Sequence, residues 1–337
     1  MKEGVGGKKN AATIRDVARE ADVSTATVSR VLNDDGRITT ETAARVRAAA
    51  KRLGYAVNRA ARSLKTRATM TVGVIAPDLA TDFFMILMER LEFELASKGY
   101  GMLICSSRES VEEERRLLGL FAERLVDGVI AIPATATSAH FKAAVEAGTP
   151  LVLVDRSPRG AGADAVLVDN EGGACAATRS LAGLGYRRIG LIGGDPRLST
   201  ARERHAGFRR ALAELGIAAE PEFEGFGPMH IESGFRMMEA MFAKSKPPEA
   251  WFAVNADTHV GATSWLLTEG RRFADRVAFA AFDEMPYSPL LRFCRVSVEQ
   301  PIADMGREAA RLVLERVAGR AGPKPRVLRL PTKLIMH

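Results

Sequence analysis

Charged and amide side chains recur in this sequence at one kind of place, the polar end of a short apolar run. Asp155-Arg156 follows Leu151–Val154, Asn255 follows Ala250–Val254, and Asp283 follows Val277–Phe282. Pro77-Asp78 closes Thr71–Ala76 and leads to Thr81-Asp82-Phe83-Phe84; Gly193-Gly194-Asp195 closes Arg188–Ile192 and leads to Arg202 and Arg204. Carboxylates, an amide and guanidinium groups around an aromatic pair suit a polyhydroxylated ligand. Each hydroxyl donates to a carboxylate and accepts from Arg or Asn, while a ring face stacks on Phe. Two other readings stand beside this one: Asp155 and Arg156 pair with other charges, and Phe83 or Phe84 belongs to the core.

Catalytic constellations are missing. His140, His205, His230, His259 and His337 show no His-Glu-x-x-His or repeated metal spacing. There is no Gly-x-Ser-x-Gly elbow and no Gly-x-x-x-x-Gly-Lys phosphate loop. Gly190-Leu191-Ile192-Gly193-Gly194 reads as a tight strand-to-helix turn rather than a dinucleotide site. The chain is therefore not read as an enzyme, and neither a metal nor another cofactor is expected. Cys105, Cys175 and Cys294 lack a Cys-x-x-Cys spacing, which argues against a disulfide framework and fits a reducing cytoplasm.

A second chemical set lies near the start. Residues 1–67 carry 15 Lys+Arg and 7 Asp+Glu, a surplus of +8, whereas the other 270 residues carry 33 and 34, a net of −1. A basic head on a neutral body is the footprint of a polyanion binder. Within it, Thr25, Ala26 and Arg30 fall on one face of a short helix whose other face is Val28, Val31 and Leu32. Arg30 can bond the O6/N7 edge of guanine twice, and Thr25 and Ala26 can touch base edges or a thymine methyl. Ser24, Thr27, Ser29 and Asn33 are short groups suited to phosphate oxygens, or, for Thr27 and Ser29, ordinary helix-surface polarity.

The elements that must present these residues are legible. Thr13 caps a helix through Ala21 with Asp16 three positions on, Ser24 caps a second through Leu32, and a third runs from Thr39/Thr40 to Leu53 and stops at Gly54. This is a helix-turn-helix unit whose second helix suits the major groove.

From Thr71, apolar runs alternate with amphipathic stretches. Thr71–Ala76, Gly101–Cys105, Gly128–Ile132 and Leu151–Val154 form one strand series, with helices near 83–98, 110–125 and 138–147. Ala165–Val168, Arg188–Ile192, Ala250–Val254, Val277–Phe282 and Arg295–Val298 form a second, with helices near 171–184, 201–215, 231–244 and 257–269. That pattern predicts a two-lobed α/β body of doubly wound parallel sheets, with ligand bound at the strand ends between the lobes. No window approaches eighteen consecutive apolar residues, so no membrane span is expected. Met1–Asn10 is charged and glycine-rich, unlike a signal peptide.

Thr13-Ile14-Arg15-Asp16-Val17-Ala18, the run Val23 to Asn33, Leu53-Gly54-Tyr55 and Ala61-Arg62-Ser63-Leu64 resemble the headpiece of the lactose/galactose-repressor (LacI/GalR) family. In the body, Val72-Gly73-Val74-Ile75, Phe83-Phe84, Val126-Asp127-Gly128, Val154-Asp155-Arg156, Asp169-Asn170, Gly207-Phe208, Phe282-Asp283 and the Glu299–Gly306 segment resemble the family's periplasmic-binding-protein-like core. The resemblance implies that Thr25, Ala26 and Arg30 read bases, that Thr13, Ser24, Thr27, Ser29, Asn33 and Asn58 meet the backbone, and that Ala61, Leu64 and Lys65 enter the minor groove. In it, Leu64 on a hinge helix ordered by DNA wedges between base pairs. It further implies effector contacts at Phe83, Phe84, Asp155, Arg156, Arg204, Asn255 and Asp283. Four departures stand out: Val57-Asn58 replaces the usual Pro-Asn, Thr81-Asp82 the usual Asn-Pro, Asn255-Ala256 the usual Asn-Asp, and Leu291-Arg292-Phe293-Cys294-Arg295-Val296-Ser297 the usual Pro-x-Leu-Thr-Thr stretch.

The expected organisation is a disordered tail (1–10), a headpiece (11–56), a hinge (57–67) and a core (68–337). One lobe holds about 68–167 plus 299–327, the other about 168–298 plus 328–337. The expected function is a cytoplasmic, nucleoid-associated, homodimeric repressor of pseudo-palindromic operator DNA, controlled by a small molecule of carbohydrate type. The alternative is a sugar-binding protein without DNA-directed regulation, which leaves the basic headpiece without a purpose.

Overall fold

The computed structural model describes residues 12–32, 38–55, 68–123, 126–134, 136–291 and 293–337. The tail, the hinge and the sites expected at Asn33, Asn58, Ala61, Leu64 and Lys65 lie outside them. The chain forms two compact units, Met1–Thr69 and Met70–His337.

In the first unit, α1 (Ile14–Glu20), α2 (Thr25–Leu32) and α3 (Thr40–Arg52) enclose a small core of Val17, Val28, Val31, Val46 and Ala49. The caps explain where each helix begins. Thr13 and Asp16 form a reciprocal capping box, and the Thr13 contacts hold the Asp16 carboxyl below its ordinary pKa. Ser24 Oγ accepts the Thr27 N–H at 3.1 Å. Gly54, with φ of +61°, follows the end of α3, where a left-handed residue is needed.

The second unit holds two six-stranded sheets. The first contains β1 (Thr71–Ala76), β2 (Gly101–Ser106), β3 (Gly128–Ala131), β4 (Leu151–Val154), β5 (Asp164–Val168) and β11 (Val327–Leu330), in the order β11-β5-β4-β3-β1-β2 and parallel throughout. The second contains β6 (Ile189–Ile192), β7 (Glu224–Gly225), β8 (Ala250–Ala253), β9 (Ala278–Phe282), β10 (Cys294–Glu299) and β12 (Lys333–Met336), in the order β12-β10-β9-β8-β6-β7. Here β12 alone runs antiparallel. Between the strands lie α4 (Asp82–Ala96), α5 (Val111–Ala122), α6 (Ala139–Glu146), α7 (Asn170–Gly183), α8 (Ser199–Glu214), α9 (Ile231–Phe242), α10 (Ala256–Thr268) and α11 (Ile302–Val317). The sheet strands are apolar runs because helices cover both faces.

Two expectations are corrected. Ala165–Val168 belongs to the first strand series, not the second: β5 pairs with β4 and with β11. Residues 328–330, expected in the second lobe, lie in the first sheet, and only β12 joins the second. The cause is burial, since β5 is buried at every position and needs a ladder partner on both sides. The chain thus passes between lobes near Asp169, Gln300 and Pro331-Thr332.

Candidate functional site

Parallel sheets present their C-terminal strand ends to the gap between the lobes. There a cavity of about 280 Å³ is lined by all seven expected effector residues, Phe83, Phe84, Asp155, Arg156, Arg204, Asn255 and Asp283. Phe83 and Phe84, at the start of α4, pack edge to face with centroids 5.3 Å apart. Both also belong to the core of the first lobe, so the two readings of these residues hold together.

Asp155 ends β4 in a left-handed conformation, with φ of +63°. Its Oδ2 lies 3.6 Å from Arg156 Nε, and its buried Oδ1 has no hydrogen-bond partner. Burial pushes its carboxyl up to about 6 against the pull of Arg156 and Arg204. Arg156 is fixed from behind: its NH1 group donates to Glu109 Oε2 at 3.0 Å and to Pro133 O at 3.1 Å.

On the opposite wall, Arg204 projects from α8. Its Nε donates to Asn170 Oδ1 at 2.9 Å and NH1 to Val254 O at 2.7 Å, while its guanidinium carbon lies 3.7 Å from the Phe282 ring centre. Burial pulls its pKa down, opposed by Asp283 and Asp155. Asp283 ends β9 with φ of +73° and accepts from Gln300 Nε2 at 2.5 Å and from the Ala256 N–H at 3.3 Å. Asn255 caps α10, with Oδ1 accepting from the Thr258 N–H at 3.1 Å and Nδ2 donating to Met229 O at 3.1 Å. Its amide is therefore largely committed to the fold. Asp169, in the same way, caps α7 through the Gly172 N–H at 2.9 Å.

The cavity also gathers residues that the sequence did not single out as sites, among them Glu109, Arg197, Thr200, His230 and Gln300. Thr200 stands one helical turn before Arg204, and Gln300 follows β10 as Asp283 follows β9; spacing carried both signals. Glu109 and His230 reach in from loops without such a signal. Besides Asp155 Oδ1, the buried atoms Arg156 Nε, Thr200 Oγ1 and Gln300 Oε1 have no hydrogen-bond partner among the described residues. Four unsatisfied donors and acceptors around one hollow are costly unless a ligand or water meets them. Hydrogen bonds cross between the lobes nearby, among them Thr81 Oγ1 to Asp257 Oδ2 (3.3 Å), Ser157 N–H to Ser199 Oγ (3.4 Å) and Arg329 NH1 to Glu203 Oε2 (3.1 Å).

In the first unit, burial of Val28 and Val31 leaves Thr25, Ala26 and Arg30 exposed on one side of α2. Thr13 and Ser24 are exposed, and Thr27 and Ser29 half-buried. The hydroxyls of Ser24 and Thr27 bond each other at 2.9 Å. Among the described residues no group of three or more His, Cys, Asp or Glu is placed to hold a metal ion, and no helix is long and apolar enough to cross a membrane.

Comparison with known proteins defines the class. Residues 13–58 match the family described as "Bacterial regulatory proteins, lacI family", and residues 178–336 match "Periplasmic binding protein-like domain". The chain is 30% identical over 308 residues to the HTH-type transcriptional repressor PurR of Aliivibrio salmonicida, covering 91% of this chain and 92% of that one. It is 31% identical over 325 residues to the ribose operon repressor of Halalkalibacterium halodurans, covering 96% of each. A solved complex of the transcriptional regulator CelR with cellobiose superposes with a TM-score of 0.73 at 30% identity, covering 96% of this chain and 98% of that one.

The chain belongs to the lacI family of bacterial regulatory proteins. It is a DNA-binding transcriptional regulator, not an enzyme; such proteins act as dimers on operator DNA and bind small-molecule effectors. A regulator of this kind works in the cytoplasm, where bacterial operator DNA lies.

Proposed function

We propose that this regulator is a nucleoid-associated repressor whose effector is a sugar or sugar derivative held between the two lobes. One observation carries the reading: Asp155, Arg156, Arg204 and Asp283 surround a hollow next to Phe83 and Phe84, and unpaired donors and acceptors face it together. A polyhydroxylated ring supplies both partners at each point, and an apolar ring face packs on Phe. One relative is named for a ribose operon and one solved neighbour is a complex with cellobiose, which lends support.

In this reading Thr25, Ala26 and Arg30 read base edges, while Thr13, Ser24, Thr27, Ser29, Asn33 and Asn58 hold phosphates. Ala61, Leu64 and Lys65 enter the minor groove. Two-fold pairing of subunits imposes a pseudo-palindromic operator. The apolar side chains Met85 and Phe93 of α4 and Ile231 of α9 are exposed, which favours these helices as the dimer face. Effector rotates the lobes, alters the spacing of the paired hinges and so shifts DNA affinity; reciprocally, DNA shifts effector affinity by the same factor.

A thermal-shift screen of sugars, sugar acids, sugar phosphates and nucleobases, with and without operator DNA, tests this. A ligand at a hundred times its Kd adds about 2.7 kcal/mol. Sugars that stabilise the parent but not Asp283→Asn support the reading; stabilisation by nucleobases alone overturns the carbohydrate assignment.

A further inference from the structure

Asn170 is the first residue of α7, yet its side chain takes no part in starting the helix. Asp169 supplies that cap by accepting from the Gly172 N–H. Asn170 is 1% exposed, and a buried amide is costly unless its oxygen and nitrogen both find partners. Both do, on consecutive residues of α8. Its Oδ1 accepts from Arg204 Nε at 2.9 Å, and its Nδ2 donates to Glu203 Oε2 at 3.1 Å. A flipped amide would set nitrogen against a guanidinium and oxygen against a carboxylate, so the chemistry fixes its orientation.

The two helices hold this geometry. Gly207 lies one turn beyond Glu203, and a Cβ there would stand 2.2 Å from Glu171 O, so only glycine lets α8 lie this close to α7. Arg204 then reaches the effector cavity, buried on the Phe282 ring, while Glu203 turns toward the first lobe. There its Oε2, the same oxygen that accepts from Asn170, also accepts from Arg329 NH1 at 3.1 Å. Arg329 belongs to β11, and its NH1 donates as well to Val168 O at the end of β5. Ser199, one turn before Glu203 on the same side of α8, accepts the Ser157 N–H from the first lobe.

An Arg–Glu pair with side chains 44% and 28% exposed contributes little alone, since water competes and two long side chains must be held still. Here the carboxylate is already held, by a donor that is itself buried. The Arg204 charge at the other end of the amide polarises that donor and strengthens its bond to Glu203.

We propose that Asn170 is a positioning residue that couples the effector cavity to the lobe seam: one buried amide sets Arg204 in the cavity and Glu203 for Arg329. The link to the seam stands on its own, whereas its control by effector rests on the reading of Arg204 as an effector contact. Effector on Arg204 reaches the seam through this amide, and by reciprocity the state of the seam reaches Arg204.

Hydrogen exchange of the full chain without ligand, followed by mass spectrometry, reads the seam at the peptide containing Ser157, whose N–H crosses it. Parent, Asn170→Ala, Arg329→Ala and their double variant form a cycle between two residues linked through Glu203. Each single variant should speed exchange there about threefold or more, and the double variant no further than the faster single one. Exchange in β8, inside the second lobe, should keep the parent rate. Where β8 loosens in Asn170→Ala, Asn170→Asp takes its place in the cycle. Its carboxylate keeps an acceptor for Arg204 and offers Glu203 no donor, so the seam should still loosen. Single effects that multiply in the double variant, or a seam unmoved by Asn170→Asp, overturn the proposal.

Calorimetry with D-ribose and with cellobiose separates this inference from the carbohydrate reading. A sugar that binds the parent, about tenfold more weakly Asn170→Ala and with a smaller loss Asn170→Asp, supports the positioning of Arg204. A sugar that binds Asn170→Ala as tightly as the parent overturns that positioning and leaves the carbohydrate reading intact. If neither sugar binds while the exchange cycle is non-additive, the seam link is supported and the carbohydrate reading loses ground.

Discussion

Asp155 and Asp283 are counterparts. Each ends the strand third from the β11 or β12 edge of its sheet, β4 in one lobe and β9 in the other, and each has a left-handed backbone, with φ of +63° and +73°. Both are buried and face the same cavity. Their surroundings differ. Asp283 is held by Gln300 and the Ala256 N–H, whereas Asp155 Oδ1 has no partner. One carboxylate is fixed in advance by its own lobe, and the other is left to be satisfied by what enters. Left-handed non-glycine residues that persist at a cleft are the kind of local strain that binding sites retain.

Asp283→Asn should separate effector response from DNA binding. Asn tolerates positive φ, so the backbone turn survives. The amide nitrogen cannot accept from Gln300 or Ala256, and the charge facing Arg204 is lost. Effector affinity should fall at least about tenfold, with operator affinity in the absence of effector unchanged by fluorescence anisotropy. A normal effector response would remove Asp283 from the site.

Asp155 gives the protein a pH dependence of definite sign. Its ordinary pKa is 3.8, and burial raises it to about 6 in the folded chain. Between those values the folded state holds a proton that the unfolded state has released. This group's contribution therefore falls as pH rises through the window and is level below pH 3.8 and above about 6. Asp155→Asn removes that loss, so the variant should gain on the parent as pH rises, by on the order of 3 kcal/mol at neutral pH. Urea unfolding at several pH values reads the difference, and a gap independent of pH would contradict the assignment.

What the sequence disclosed follows from what each element demands. Asp155 and Asp283 were legible because parallel strands deliver their C-terminal ends to one place, and Arg204 because the helix that follows β6 begins there. The sheet to which β5 belongs was not, since a short apolar run carries no information about its partners. β11 and β12 escaped notice because Val327-Leu328-Arg329-Leu330 and Lys333-Leu334-Ile335-Met336 are four-residue edge strands, partly or fully exposed throughout. Glu114 on α5 stands in a run of three glutamates that nothing in the sequence sets apart, yet it is fully buried.

That burial makes Glu114 a positioning residue. Its Oε1 accepts the Ala134 N–H at 2.6 Å and its Oε2 lies 3.0 Å from His140 Nε2. The carbonyl of the same Pro133–Ala134 peptide accepts from Arg156. One peptide unit is thus gripped by a buried carboxylate on one side and by a cavity arginine on the other. Glu114→Ala should cost about 2–4 kcal/mol by leaving buried groups unpaired, and Glu114→Gln, which still accepts from Ala134, should cost less. Denaturant midpoints at unchanged slope measure both. Equal losses would show that the hydrogen bond to Ala134 is not what Glu114 supplies.

Arg30 tests the proposed DNA-reading face. It sits in the last turn of α2, exposed beside Thr25 and Ala26, while Val28 and Val31 anchor the helix from the other side. No ion pair within the described residues holds its guanidinium, so truncation leaves the headpiece core untouched. A bidentate contact to guanine is worth about 1–3 kcal/mol of discrimination, whereas a phosphate contact weakens all duplexes alike and lowers the salt slope by about one. Arg30→Ala should therefore narrow the gap between operator and scrambled duplex by that amount, with the salt dependence of non-specific binding nearly unchanged. If both duplexes weaken equally and the salt slope drops, Arg30 grips the backbone, and sequence reading must rest on Thr25, Ala26 and the shape of the operator.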